Sequence, residues 1–275
     1  MRRLYPLCLI SMAFCASAAE PQQAARKQLV FAVSEGTSGG IDADAARAKY
    51  QPLADVLGRA IGGEVKVAFV REFSALEKGM KDNQFDLVLA RPSDYPARGL
   101  RDYRYKFVAT AKPDGQCILI AHKDSPVKKL ADLKGKSFVM PEKNAYMTRF
   151  CRAELRDQGI ILDNETVTYV REQGAIPFSI ENRISDVGGI ASYSGAYVQW
   201  QKSGNRVIHQ SKPQPYMPLV ASQDVSADQV AKMQAALAGL GNSENGMQVL
   251  KRVGVTGFVS TEESRLRKLL EWLGV

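Results

Sequence analysis

The chain has 275 residues, 45% of them hydrophobic, with four cysteines and a formal charge of +8. That apolar share is ample for a buried core, and the length suits one large domain or two ordinary lobes. Its basic residues are dispersed, with no run interleaved with aromatics, so no nucleic-acid motif appears and only a weak pull toward acidic partners remains.

Arg2 and Arg3 precede an apolar stretch from Leu4 to Ala16, broken only by Ser11, and Ala16-Ser17-Ala18 offers a small-x-small cleavage site. This pattern predicts a signal peptide over residues 1–19 and export to the periplasm. The stretch is shorter than the ~20 residues that span a bilayer. Phe14 is too bulky to precede a lipid-attachment cysteine at Cys15. Cys8 and Cys15 leave with the leader, so Cys117 and Cys151 remain as an even pair in an oxidising compartment. A disulfide between them is the expectation, and two small buried thiols are the alternative.

Leu29 to Val33 reads as a buried strand, followed by a turn-rich stretch from Ser34 to Gly40. Asp42 or Asp44 caps a helix in which Tyr50, Leu53, Leu57 and Ile61 recur at helical spacing, and Gly62-Gly63 ends it. A strand–helix–strand unit follows: Val67 to Glu72, a helical run to Met80, then Asp86 to Arg91. The basic segment Arg98 to Arg104 leads into the strand Phe107 to Ala111, and Cys117 to Ala121 opens a second lobe. Leu130 to Lys136 forms a short helix and turn before the strand Ser137 to Met140, and Asn144 starts a helix that runs to Gln158.

A second unit then repeats the first at an offset of 100. Val67/Val167, Val70/Val170, Arg71/Arg171, Glu72/Glu172, Ala75/Ala175 and Asp86/Asp186 are identical. Any two strand–helix–strand units share such a pattern, so it gives the architecture without requiring common ancestry. Val207-Ile208 and Leu219 to Ala221 are return strands, and Ser226 to Gln229 is a capping box. Helices over about 243–252 and 262–272 close an α/β chain. The expected organisation is one lobe from 29–112 with 212–275, and another from 113–211.

Loops at strand C-termini should line the cleft between such lobes. They carry Glu35, Thr37 and Ser38; Arg71; Arg91, Ser93 and Tyr95; Asn144, Tyr146 and Thr148; Arg171; and Ser192 with Tyr193. The arginines suit an anion through charge-assisted bonds, and the tyrosines suit stacking or hydrogen bonding. Asp86 and Asp186 precede their strands, at the wrong end for the cleft, and read as turn caps. His122 and His209 lack metal-ligand spacing, so neither a metal nor another cofactor is expected. Ser125-Pro126-Val127-Lys128 matches S-x-x-K without its companion motifs, and no nucleophile–base pair is visible. An enzyme is therefore not expected.

Four segments carry a family resemblance: Tyr50 to Leu57; Ala75 to Met80 with Phe85-Asp86; Leu130-Ala131-Asp132-Leu133-Lys134-Gly135-Lys136; and Gly254-Val255-Thr256-Gly257-Phe258. In their order and spacing they resemble type II periplasmic solute-binding proteins of the phosphate/phosphonate branch that serves ABC importers. The resemblance implies two α/β lobes, each a mixed sheet flanked by helices, joined by two crossover strands that close on a ligand. It implies a monomer that captures a small anionic solute for an ABC permease, or, as an alternative, signals to a membrane sensor such as a histidine kinase. The branch's serine- and glycine-containing anion loop is replaced here by Pro141 to Thr148. A histidine common at the start of the second repeat's helix is absent from Gln173-Gly174-Ala175-Ile176.

Overall fold

The computed structural model describes residues 28–37 and 40–275; the leader read at 1–19 and Ser38 lie outside the described residues. The first half of the chain lays down β1 (Gln28–Ser34), α1 (Ala43–Ile61), β2 (Glu64–Phe69), α2 (Phe73–Lys81), β3 (Leu87–Ala90), α3 (Asp94–Asp102) and β4 (Lys106–Gly115). The chain then crosses over and builds β5 (Cys117–Ala121), β6 (Ser137–Pro141), α4 (Tyr146–Asp157), β7 (Thr166–Val170), α5 (Ala175–Glu181), β8 (Val187–Ala191), α6 (Gly195–Trp200) and β9 (Arg206–Gln210). It returns through β10 (Gln214–Ala221), α7 (Ala227–Ala238), α8 (Glu244–Val253), β11 (Gly257–Val259) and α9 (Glu263–Leu273).

Two mixed sheets result, ordered β11-β4-β10-β3-β1-β2 and β7-β6-β8-β5-β9. The repeated units occupy matching places in them. β1 pairs in parallel with both β2 and β3, as β6 does with both β7 and β8. Asp86 Oδ2 accepts from Val30 N at 2.8 Å, and Asp186 Oδ2 accepts from Ser137 N at 2.9 Å and its hydroxyl at 2.8 Å. Each aspartate thus pins the start of the neighbouring strand, far from the cleft. Asn83 and Arg183, again 100 apart, both take positive φ just after α2 and α5.

Val88-Leu89 of the first unit becomes Gly188-Gly189 in the second for a packing reason. A β-carbon on Gly188 would lie 2.5 Å from Ile176, and one on Gly189 would lie 2.4 Å from the Met140 sulfur. Such approaches leave no room for a side chain. α1 lays Tyr50, Leu53 and Leu57 on the first sheet beside Met233 and Leu237 of α7. Asp42 caps α1, as its spacing predicts, and Ser226 and Gln229 form the predicted capping box on α7.

One difference from expectation is α3. The sequence reading leaves Arg98 to Arg104 as a lead-in, whereas 94–102 is helical and buries Tyr95, Ala97 and Leu100. Pro96 and Gly99 lower the helical propensity of this stretch and hide it in the sequence.

The crossover segments brace each other. Gln116 Nε2 donates to Ser211 O at 2.7 Å, Cys117 N to Ser211 Oγ at 2.9 Å, and Ser211 N to Cys117 O at 2.9 Å. Cys117, the first residue of β5, is disulfide-bonded to Cys151 in α4. The last helix, α9, packs on α3 of the first lobe and also reaches α4 of the second. There Trp272 meets Phe150 edge-on at 5.2 Å, and its Nε1 donates to Asp157 Oδ2 at 2.7 Å. Among the described residues, no helix is long and apolar enough to cross a membrane.

Candidate functional site

The C-terminal ends of the strands of both sheets converge between the lobes. The deeper part of this cleft is lined by Glu35, Thr37, Arg91 and Phe73 from one lobe and by Tyr146, Met147, Gln173 and Tyr193 from the other. Its free volume is only about 10 Å³, room for a single water at most. An outer chamber of about 230 Å³ shares Gly36, Thr37 and Phe73 with it, and adds Arg71, Glu72, Glu142, Arg171 and Glu172.

Arg91 forms the floor. It lies just past β3 and is only 7% exposed. Its guanidinium sits 5.7 Å from the Tyr193 ring and 6.0 Å from the Tyr216 ring, and those two rings stack at 4.2 Å across the lobe boundary. Its Nε lies 2.7 Å from Glu35 Oε2. That contact is an ion pair rather than an aligned hydrogen bond, because the N–H is off-axis and Nε has no hydrogen-bond partner. Arg91 Nη1 reaches Tyr193 O at 3.4 Å.

Behind Arg91, Glu35 is held from α1. Lys49 Nζ donates to its Oε1 at 2.6 Å, and the Tyr50 hydroxyl donates to the same oxygen. Burial works against the Glu35 charge, but Arg91 and Lys49 outweigh it and keep its pKa below the ordinary 4.5. A carboxyl with a lowered folded-state pKa stabilises the fold fully above about pH 4.5 and loses that contribution as pH falls through its folded value. Thermal melts from about pH 7 to pH 3 should show this loss, and Glu35→Gln should remove that part of the acid sensitivity. Parallel pH profiles for the two proteins would refute the assignment.

Tyr216, whose pKa burial pushes up to about 12, is buried with its hydroxyl unpartnered among the described residues. The next residue, Met217, takes a φ of 46° within β10, which is strained backbone for a side-chain-bearing residue.

Other contacts hold the lobes together. Arg149 of α4 donates to Asp94 Oδ2 at 2.7 Å, and Asp94 is wholly buried. Burial raises the Asp94 pKa despite the nearby Arg149 and Arg98. Gln173 donates from its backbone to Thr37 O at 3.2 Å, while its side-chain oxygen accepts from Ala191 N at 2.7 Å. Arg171 lies 3.9 Å from Glu72, both exposed, and contributes little. Ala145, the N-cap of α4, gives no side-chain cap, so the first-turn amides of a 12-residue helix at the cleft keep their affinity for an anion.

Of the residues singled out from sequence, Glu35, Thr37, Arg91, Tyr146 and Tyr193 come together at the inner cavity, and Arg71 and Arg171 both line the outer one. The rest are placed otherwise. Ser93 is fully buried, its hydroxyl 3.4 Å from Arg91 O. Tyr95 stacks on Phe73 at 5.7 Å, behind the cleft wall. Asn144 is exposed. Thr148 donates to Pro141 O at 2.9 Å, and Ser192 Oγ accepts from Gln116 N at 3.0 Å. Both hydroxyls serve the backbone. Lys49, Tyr50, Phe73, Met147, Gln173 and Tyr216 were not singled out. Lys49 and Tyr50 sit on a helix whose periodicity announces only core. The usable cue was Glu35 itself, a carboxylate directly after an apolar strand, which needs a buried cation.

The profile of phosphonate ABC-transporter periplasmic substrate-binding proteins matches residues 40–266. The chain belongs to this family. No curated protein sequence matches the chain significantly. Among solved structures, a Xanthomonas citri protein bound to ATP is similar with a TM-score of 0.73 and 14% identity, over 90% of this chain and 97% of that one. PhnD1 of Prochlorococcus marinus in complex with methylphosphonate gives a TM-score of 0.69 at 14% identity, covering 88% and 96%. A binding component of a Pseudomonas aeruginosa ABC phosphonate transporter gives 0.66 at 16%, covering 90% and 86%. These likenesses show the type II periplasmic binding fold read from the sequence. In this substrate-binding protein the segment Pro141 to Thr148, which holds no serine or glycine, brings Tyr146 and Met147 to the inner cavity and Glu142 to the outer one.

Proposed function

We propose that this family member captures a small solute bearing a phosphorus oxyanion and delivers it to an ABC permease. The carrying observation is Arg91, buried at the cleft floor beside two stacked tyrosine rings, with the uncapped start of α4 lining the same cavity. A guanidinium edge and helix-terminal amides together suit a tetrahedral anion. The solutes bound in two structural neighbours, methylphosphonate and ATP, support the same choice. Export through a cleaved signal peptide, a monomeric state and the absence of catalysis belong to this reading.

Because the inner cavity holds about one water, binding proceeds by parting of the lobes. The solute then stabilises the closed arrangement by contacting both. Isothermal titration with methylphosphonate, inorganic phosphate and ATP tests this. At least one should bind saturably and raise the melting temperature, and the absence of heat and of any melting shift with all three would overturn it.

A further inference from the structure

We infer that Lys49, which does not line the cleft, sets the charge on which anion recognition depends, acting through Glu35 on Arg91. This deepens the oxyanion reading and rests on it.

Charge bookkeeping at the cleft carries the inference. At the outer chamber Arg71 and Arg171 stand against Glu72, Glu142 and Glu172, a formal charge of −1. An anion entering there meets no net attraction, so the pull must come from the floor. On the floor, Glu35 lies 2.7 Å from Arg91 Nε and would cancel it. Lys49, 2.6 Å from the other carboxylate oxygen, restores a net charge of +1. Without Lys49 the floor is neutral and the cleft as a whole is negative.

Geometry gives the relay its direction. Glu35 takes Lys49 and Tyr50 on Oε1 and faces Arg91 with Oε2. The carboxylate therefore meets the Nε edge of the guanidinium, and the stacked Tyr193 and Tyr216 rings lie beside it. Arg91 Nη1 donates across the lobe boundary to Tyr193 O at 3.4 Å. Lys49 is 23% exposed at its side chain and Glu35 only 3%, so the field of this group is screened from one side only. The Lys49 pKa is lowered, by burial first and then by Arg91, with Glu35 opposing. That places Lys49 within electrostatic range of Arg91, consistent with the geometry.

Lys49 is thus a positioning and charge-setting residue, not a ligand contact. Three variants separate its charge from its hydrogen bond. Lys49→Met removes both, Lys49→Gln keeps a donor for Glu35 without charge, and Lys49→Arg keeps the charge. With inorganic phosphate as the probe, Met and Gln should each weaken binding about tenfold, and Arg should stay within about threefold of wild type. Melting temperatures without phosphate should not follow this order. Wild-type affinity in Lys49→Gln, or unchanged affinity in all three, would overturn the inference while leaving the oxyanion reading intact. Failure of the wild-type protein to bind phosphate, methylphosphonate or ATP would instead remove the oxyanion reading, and this inference with it.

Discussion

Arg91→Gln is expected to lower affinity for phosphate or methylphosphonate by about 100-fold or more, the largest binding effect at this cleft. A hydrogen bond to a charged group contributes about 1.5–3 kcal/mol, and Arg91, 7% exposed and ion-paired to Glu35 at 2.7 Å, is the buried cation at the cleft floor. The variant keeps a polar group and leaves Glu35 with Lys49 and Tyr50, so the carboxylate is not stranded. Arg91→Lys provides the comparison. It keeps the charge but loses the planar fork and the broad contact with the Tyr193 and Tyr216 rings. An intermediate loss of about tenfold is expected for it. Titration calorimetry on the three proteins, with circular dichroism to verify folding, measures this. Affinities within threefold across the series would move the anion site away from the floor.

The second large effect concerns stability. Replacing Cys117 and Cys151 together with serine should cost about 4 kcal/mol, from the loop that the bond closes, across a sequence separation of 34. For a chain of this size that is a fall of roughly 8–16 °C in melting temperature. The location makes the bond more than a staple. Cys117 begins the strand that leaves the first crossover, where its N–H and carbonyl are both taken by Ser211. Cys151 lies in α4, the helix whose first turn opens on the cleft. The bond fixes that helix to the crossover, so the double variant should also weaken anion binding, though less than Arg91→Gln. Urea melts of wild type with and without a thiol reductant give the same comparison without mutation. An unchanged midpoint in both experiments would show that the bond contributes nothing.

The architecture was legible because it rests on local chemistry. Asp42 and Ser226 announced their helices through capping, and the Val-Arg-Glu units announced two matching supersecondary blocks. The even cysteine pair, read in an exported chain, indicated a bond that the structure contains. Glu35, Thr37, Arg91, Tyr146 and Tyr193 line the inner cavity because loop position alone decides that placement. Hydroxyls at strand ends have a competing structural use. A serine or threonine beside a strand end can satisfy a buried backbone group instead of a ligand, and Ser192 and Thr148 do so. Tyr216 and Lys49 stayed hidden because their roles come from tertiary neighbours 125 and 14 residues away, Arg91 and Glu35. Periodicity does not encode such neighbours.

The C-terminal helix has a mechanical consequence. Two crossovers alone would let the halves swing about a line through 116 and 211, like a door on two pins. α9 adds a third point, since it packs on α3 yet holds α4 through Trp272, and Arg156 Nη2 donates back to Trp272 O at 2.8 Å. Together with the Arg149–Asp94 and Gln173–Thr37 contacts, these fastenings leave little freedom to swing unless some of them slide or let go. The edge-on Trp272–Phe150 contact is the fastening best suited to slide. The gape of the cleft, and so the bulk of cargo it can admit, would then be set by the far end of the polypeptide rather than by the walls of the chamber.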